Sequence, residues 1–269
     1  MKATLCCRSG VFAIFSLAAL LFLSGLCQAQ TTANQPPVRD GQAVEAIQQT
    51  LFAMSTSSSA LIRDYTITGV VAEEHGIASN SPISISGINS KATSVKMSLH
   101  SGEYKRINQF DEGLTHGPSS QPRILPGSIS LEATPYFFVP LLVSALADPA
   151  VGLRYVAPVP SDEGDIHVRM ERRSIGWKPH MDFLFTGFLD FYINPTTHLI
   201  DVIQNDARMP TNIDRTQRHY AAFSEYRPEA GWLVPHEIKE SYKSGPWLTI
   251  KLSSFSFNRG LELSSFPIR

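Results

Sequence analysis

The chain has 269 residues, with 23 basic and 24 acidic side chains and a formal net charge of −1. Nothing in that balance suggests nucleic acid, which normally demands a basic face. The length suits one large all-β or α+β domain behind a short leader.

Residues 1–29 read as a cleavable signal peptide. Lys2 and Arg8 give a positive start, Val11 to Leu26 is almost wholly apolar, and Cys27 and Ala29 occupy the small-residue positions before a cut between Ala29 and Gln30. The apolar run is about 16 residues, shorter than the roughly 20 that span a bilayer core. A lipidated Cys27 would want a small residue directly before it, and Leu26 stands there instead, so lipid anchoring at Cys27 is not expected. Cys6, Cys7 and Cys27 are the three cysteines, and cleavage would leave a mature chain without disulfides or thiol chemistry. Taking Lys2 and Arg8 from the 23 basic residues leaves 21 against 24 acidic ones, a net charge of −3. The expectation is a periplasmic or secreted, soluble, monomeric protein.

Residues 30–40, QTTANQPPVRD, are polar and proline-containing and read as a flexible leader. Asp40 can cap a helix whose apolar positions Val44, Ile47, Leu51 and Met54 fall at helical spacing. It should fade in the Ser55–Ser59 stretch, where serine and threonine compete for backbone hydrogen bonds. From Asp64 the period changes to two: Tyr65, Ile67, Gly69 and Val71 alternate with polar residues, as do Thr93, Val95, Met97 and Leu99, and Ile166, Val168 and Met170. Such one-faced strands belong to an antiparallel sheet.

Between Pro135 and Pro149, twelve residues from Tyr136 to Ala147 carry no charge, and their register suits a short helix begun or kinked at Pro140. The longest aromatic strand follows, with Phe183, Phe185, Gly187, Leu189, Phe191 and Ile193 on one face. Asn194 to Thr197 breaks it and Leu199 to Asn205 returns as a hairpin partner. Strands over about 218–226, 233–242 and 247–257 complete the meander, with turns at Pro228–Gly231 and Ser244–Pro246, and the tail after Asn258 reads as irregular. The predicted architecture is α+β: a half-open antiparallel β-barrel of about 10–11 strands, wrapped around or covered by a few helices. Residues 41–269 form a single domain.

No HExxH, GxSxG, glycine-rich phosphate loop or EF-hand loop occurs. The eight histidines are scattered singly, so no metal or cofactor is expected.

The order of elements, DFYINPTTHLIDVI at 190–203, and the closing run from Phe223 to Phe266 resemble the LolA/LolB-like superfamily of periplasmic lipoprotein carriers. The matching residues are Tyr226, Gly231, Val234–Pro235, Asn258 and Phe266. The resemblance covers nearly the whole mature chain and implies a LolA-like domain over 41–269. It implies a non-enzymatic binder of acyl chains, lipids or lipoproteins in an apolar groove, as a periplasmic carrier would be. On that reading Phe183, Phe185, Leu189 and Phe191 form the groove wall, with Tyr136, Phe137, Phe138 and Leu141 as a lid or plug. The same periodicity equally fits residues that are simply core. An envelope sensor or scaffold of the same fold, binding a protein partner, is the second reading, and a hydrolase assembled from scattered residues such as His116 and Asp190 the third.

Overall fold

The computed structural model describes residues 37–269 apart from 57–60, 75–79, 90, 101, 110–111, 118–120, 126–134, 158–163, 176–183, 210–211, 244 and 269. The signal peptide and the start of the leader lie outside the described residues. Two α-helices, α1 (Gly41–Met54) and α2 (Val139–Ala147), accompany thirteen strands. In chain order these are β1 (Asp64–Glu73), β2 (Ser81–Ile88), β3 (Ala92–Leu99), β4 (Gly102–Gln109), β5 (Glu112–His116), β6 (Arg123–Leu125), β7 (Gly152–Val156), β8 (Ile166–Ile175), β9 (Leu184–Ile193), β10 (Ile200–Met209), β11 (Asn212–Glu229), β12 (Trp232–Tyr242) and β13 (Gly245–Phe257). A 3₁₀ turn, Leu263–Ser265, follows.

All thirteen strands form one open sheet in the order β6-β5-β4-β3-β2-β1-β13-β12-β11-β10-β9-β8-β7. Each half is a meander, and the halves join where β1 pairs antiparallel with β13, Tyr65 opposite Phe257. The count exceeds the expected 10–11, because β5, β6 and β7, of three to five residues each, are too short to show a period. At β1, Asp64, Tyr65, Ile67 and Val71 are buried while Thr68 is exposed. Gly87 is required opposite Tyr65: a Cβ there would lie 2.4 Å from the Tyr65 ring. The hairpin between β11 and β12 turns on Ala230 (φ 47°) and Gly231 (φ 88°), the two left-handed residues of a tight turn that matches strand twist.

One apolar core collects the inner face of the sheet and the buried sides of both helices. Ile47 and Met54 of α1 and Leu142 and Ala145 of α2 join Ile67, Val95 and Met97 from one half of the sheet and Val168, Phe191 and Ile203 from the other. That strands so far apart in sheet order share one core means the sheet is rolled. The tail is structured rather than loose. Asp64 accepts hydrogen bonds from the backbone N–H groups of Arg259 (2.8 Å) and Gly260 (3.0 Å), and Asn258 bonds Arg63 and Leu61. Phe266 and Ile268 then bury against Ala92 and Ile107 in a second cluster.

The described end of the leader, Pro37–Asp40, is not free either. Leu153 of the edge strand β7 bonds the backbone of Val38 and Asp40. Arg39 places Nη1 within 2.9 Å of the carbonyl oxygens of Ala145, Asp148 and Val151, and Nη2 3.1 Å from that of Leu146. Those of Ala145 and Leu146 are carbonyls that the end of α2 leaves unpaired, while Asp148 O also accepts from the Val151 N–H and Val151 lies beyond the helix. Asp40 precedes α1 as expected but does not cap it with its side chain; its carboxylate accepts instead from the Tyr155 N–H at 3.0 Å.

Candidate binding site

Six of the eight candidate residues are brought together, and they are packed shut. Phe137, Phe138, Leu189 and Phe191 are at most 4% exposed, and Tyr136 and Leu141 pack partly buried on the same cluster. Phe137 sits edge-on to Tyr65 at 4.8 Å and stacks on Phe257 at 5.6 Å; Phe138 meets Phe223 edge-on at 5.1 Å. The rings of Phe137, Phe138 and Phe191 are enclosed by protein in this structure, whereas Tyr136 is partly buried and borders one of the spaces described next. Phe183 and the side chain of Phe185 lie outside the described residues.

Open space lies elsewhere among the described residues: besides a polar space of about 220 Å³ bordered by Arg169, Phe188, Asp190, Asn205, Asp206 and Arg218, two places concern the candidate residues and the apolar helix. The first is an apolar cavity of about 330 Å³ against α2, lined by Leu61, Ile62, Val139, Pro140, Val143 and Trp232, with Asn89 and Lys91 at its polar side. Pro140 in the first turn starts α2 where the sequence predicts. Trp232 is brought over by the end of α1, since Ser55 bridges to Trp232 and Thr56 bonds the Gly231 carbonyl at 2.9 Å. Leu61 is 62% exposed and gives this space an apolar mouth. No single periodicity marks these residues, since they come from a loop, a helix and the start of β12.

The second is smaller and polar, about 60 Å³, lined from β3 and β4 by Val95, Tyr104, Arg106 and Asn108, and from β10, β11 and β12 by Ala207, His219, Glu240 and Tyr242. Tyr136 and Trp247 also reach it. In the β10–β11 register Asn205 stands opposite His219, and its Oδ1 lies 3.0 Å from His219 Nδ1. Because that oxygen only accepts, Nδ1 carries a hydrogen and His219 Nε2 faces Glu240 Oε1 at 3.6 Å. Burial, then the adjacent Glu240 charge, pushes the phenols of Tyr136 and Tyr242 well up, so both hydroxyls stay protonated.

No protein-family model matches this sequence, and no curated protein does. Among solved structures, the chain is similar to a LolA superfamily protein from Nitrosomonas europaea. Identity is 13%, covering 84% of this chain and 97% of that one, with a TM-score of 0.48. It is also similar to a DUF1329 family protein from Desulfovibrio piger, at 14% identity over 87% of this chain and 100% of that one, with a TM-score of 0.39.

The hydrolase pairing does not form. His116 is on β5 and Asp190 on β9, nine places apart in the sheet. Asp190 is instead gripped by Arg169, through Nε at 2.7 Å and Nη2 at 2.9 Å, and by His167 Nε2 at 3.0 Å. Among the described residues, no group of three or more His, Asp or Glu could hold a metal ion, and no helix is long and apolar enough to cross a membrane.

Proposed function

We propose that this protein is a non-enzymatic binder of a single acyl chain, seated in the apolar cavity against α2. The observation that carries this reading is the cavity itself: about 330 Å³ of space walled by aliphatic side chains and Trp232, within the roughly 300–1,000 Å³ of small-molecule sites. Transfer of apolar surface from water supplies the driving force, about 0.8 kcal/mol per methylene, so eight seated methylenes contribute about 6 kcal/mol before the cost of association. Lys91 at the polar side suits an anionic head such as a carboxylate. An exported carrier of lipids or lipoproteins would use such a site, with α2 as the movable wall.

The test is displacement of a fluorescent fatty acid from the purified full chain, compared with Val143→Trp, which fills the cavity from α2. Submicromolar to micromolar binding, weakened at least tenfold in a folded Val143→Trp protein, is expected. Absence of binding, or unchanged affinity in the variant, would overturn the assignment.

A further inference from the structure

The end of the sheet that opens the apolar cavity carries two strongly exposed apolar side chains, Leu61 at 62% and Phe52 at 82%. Leu61 lines the cavity beside Trp232. Phe52 stands in the last turn of α1, whose following residue, Ser55, bridges to that same Trp232. Single exposed apolar residues are ordinary on a protein surface, but two at the mouth of an apolar cavity point to a surface they meet.

Three cations stand around Leu61, in loops that hydrogen bonds join. Asn258 Oδ1 accepts from the Arg63 N–H at 2.7 Å, and Asn258 Nδ2 donates to the Leu61 carbonyl at 3.1 Å. The Arg63 carbonyl accepts from the Asn89 N–H at 2.9 Å; Lys91 lies two residues further on, and Arg259 directly follows Asn258. Arg63, Lys91 and Arg259 are all exposed. Among the described residues none of the three is ion-paired, whereas Lys96, Arg169, Arg218, Arg227 and Lys239 each meet a carboxylate. Arg259 commits only its Nε, to Ser256 Oγ at 2.9 Å. Asp64 is 4% exposed and turns inward, accepting from the backbone N–H groups of Arg259 and Gly260. Glu262, three residues beyond Arg259, is exposed and leaves these four exposed side chains net positive.

We propose that this end of the sheet docks on an anionic lipid bilayer, with Phe52 and Leu61 entering the headgroup region and Arg63, Lys91 and Arg259 resting on the lipid charges. Such binding scales with the apolar area inserted plus the attraction of basic residues to anionic lipid, and each basic residue at the surface raises affinity about fivefold. The whole chain is slightly acidic, net −1, so the attraction is local and orients the cavity mouth toward the leaflet. An acyl chain then passes between bilayer and cavity without crossing water. That last step rests on the acyl-chain reading, whereas docking itself is measured separately.

Vesicle flotation of the purified, exported protein tests this, with equimolar phosphatidylglycerol and phosphatidylcholine compared with phosphatidylcholine alone. The anionic vesicles bind at least tenfold more tightly, and added salt weakens that binding by screening. Arg63→Glu combined with Arg259→Glu alters two exposed side chains outside the acyl cavity; it loses at least tenfold in vesicle binding and keeps fatty-acid displacement. Phe52→Ser weakens vesicle binding several-fold, again with fatty-acid displacement kept. Should the charge-reversed protein not fold, Phe52→Ser and the wild-type vesicle series still decide. Equal binding to the two vesicle types, no binding to either, or full vesicle binding in a folded charge-reversed protein would overturn the proposal. Vesicle binding without fatty-acid displacement would overturn the acyl-chain reading and leave the docking face standing.

Discussion

Asp190 illustrates how much one residue depends on its neighbours across the sheet. Burial alone would raise its carboxyl; the hydrogen bonds from His167 and Arg169 outweigh that and hold it below the ordinary value. A carboxyl whose pKa is depressed on folding contributes stability that is complete above its unfolded pKa, about 3.9, and is lost as pH falls through the folded value. Asp190→Asn should therefore cost about 2–3 kcal/mol at pH 7, the scale of hydrogen bonds to a charged group. Measured by chemical denaturation, that difference from wild type should shrink toward pH 3; an equal penalty at both pH values would contradict this origin. The sequence placed Asp190 on the polar face of its strand, and so it is. Its partners were hidden because Arg169 and Asp190 are opposite only in the β8–β9 register, and one residue of slip would change every pair. Asn205, His219 and Glu240 were hidden for the same reason, each standing on a different strand with no spacing to link them.

At the scale of elements, α2 is the piece on which the proposed acyl site depends. Its apolar composition and Pro140 made it legible, because a charge-free run with proline near its start has few other solutions. Its anchor was not legible: Arg39 sits more than a hundred residues earlier in the chain, in a segment whose composition reads as leader, yet it satisfies four carbonyls at or just beyond the end of α2. Arg39→Ala should cost about 2 kcal/mol by removing charge-assisted bonds, including those to the helix-end carbonyls of Ala145 and Leu146. Hydrogen exchange should then rise over residues 139–151 more than in β8–β13; uniform loosening across the chain would show that Arg39 acts elsewhere. The long one-faced strands were readable from their period of two. The aromatic wall was readable as buried but not as core or groove, because periodicity reports exclusion from water and not what does the excluding.

For the whole molecule, the unread feature was the join between the two halves of the open sheet. Pairing of β1 with β13 turns two meanders into one rolled sheet, and no local pattern specifies that long-range match. It decides where free volume survives: the aromatic residues of β9 and the α2 approach fill the centre, leaving an apolar space beside α2 and a polar one between the two halves of the sheet. The central claim, that the apolar space holds one acyl chain, is tested most directly by native mass spectrometry of protein purified without denaturant and then offered a long-chain fatty acid. The account predicts one acyl-bearing molecule per chain, absent from Val143→Trp. A bare wild-type mass after that exposure, or the same added mass on the filled variant, would contradict it.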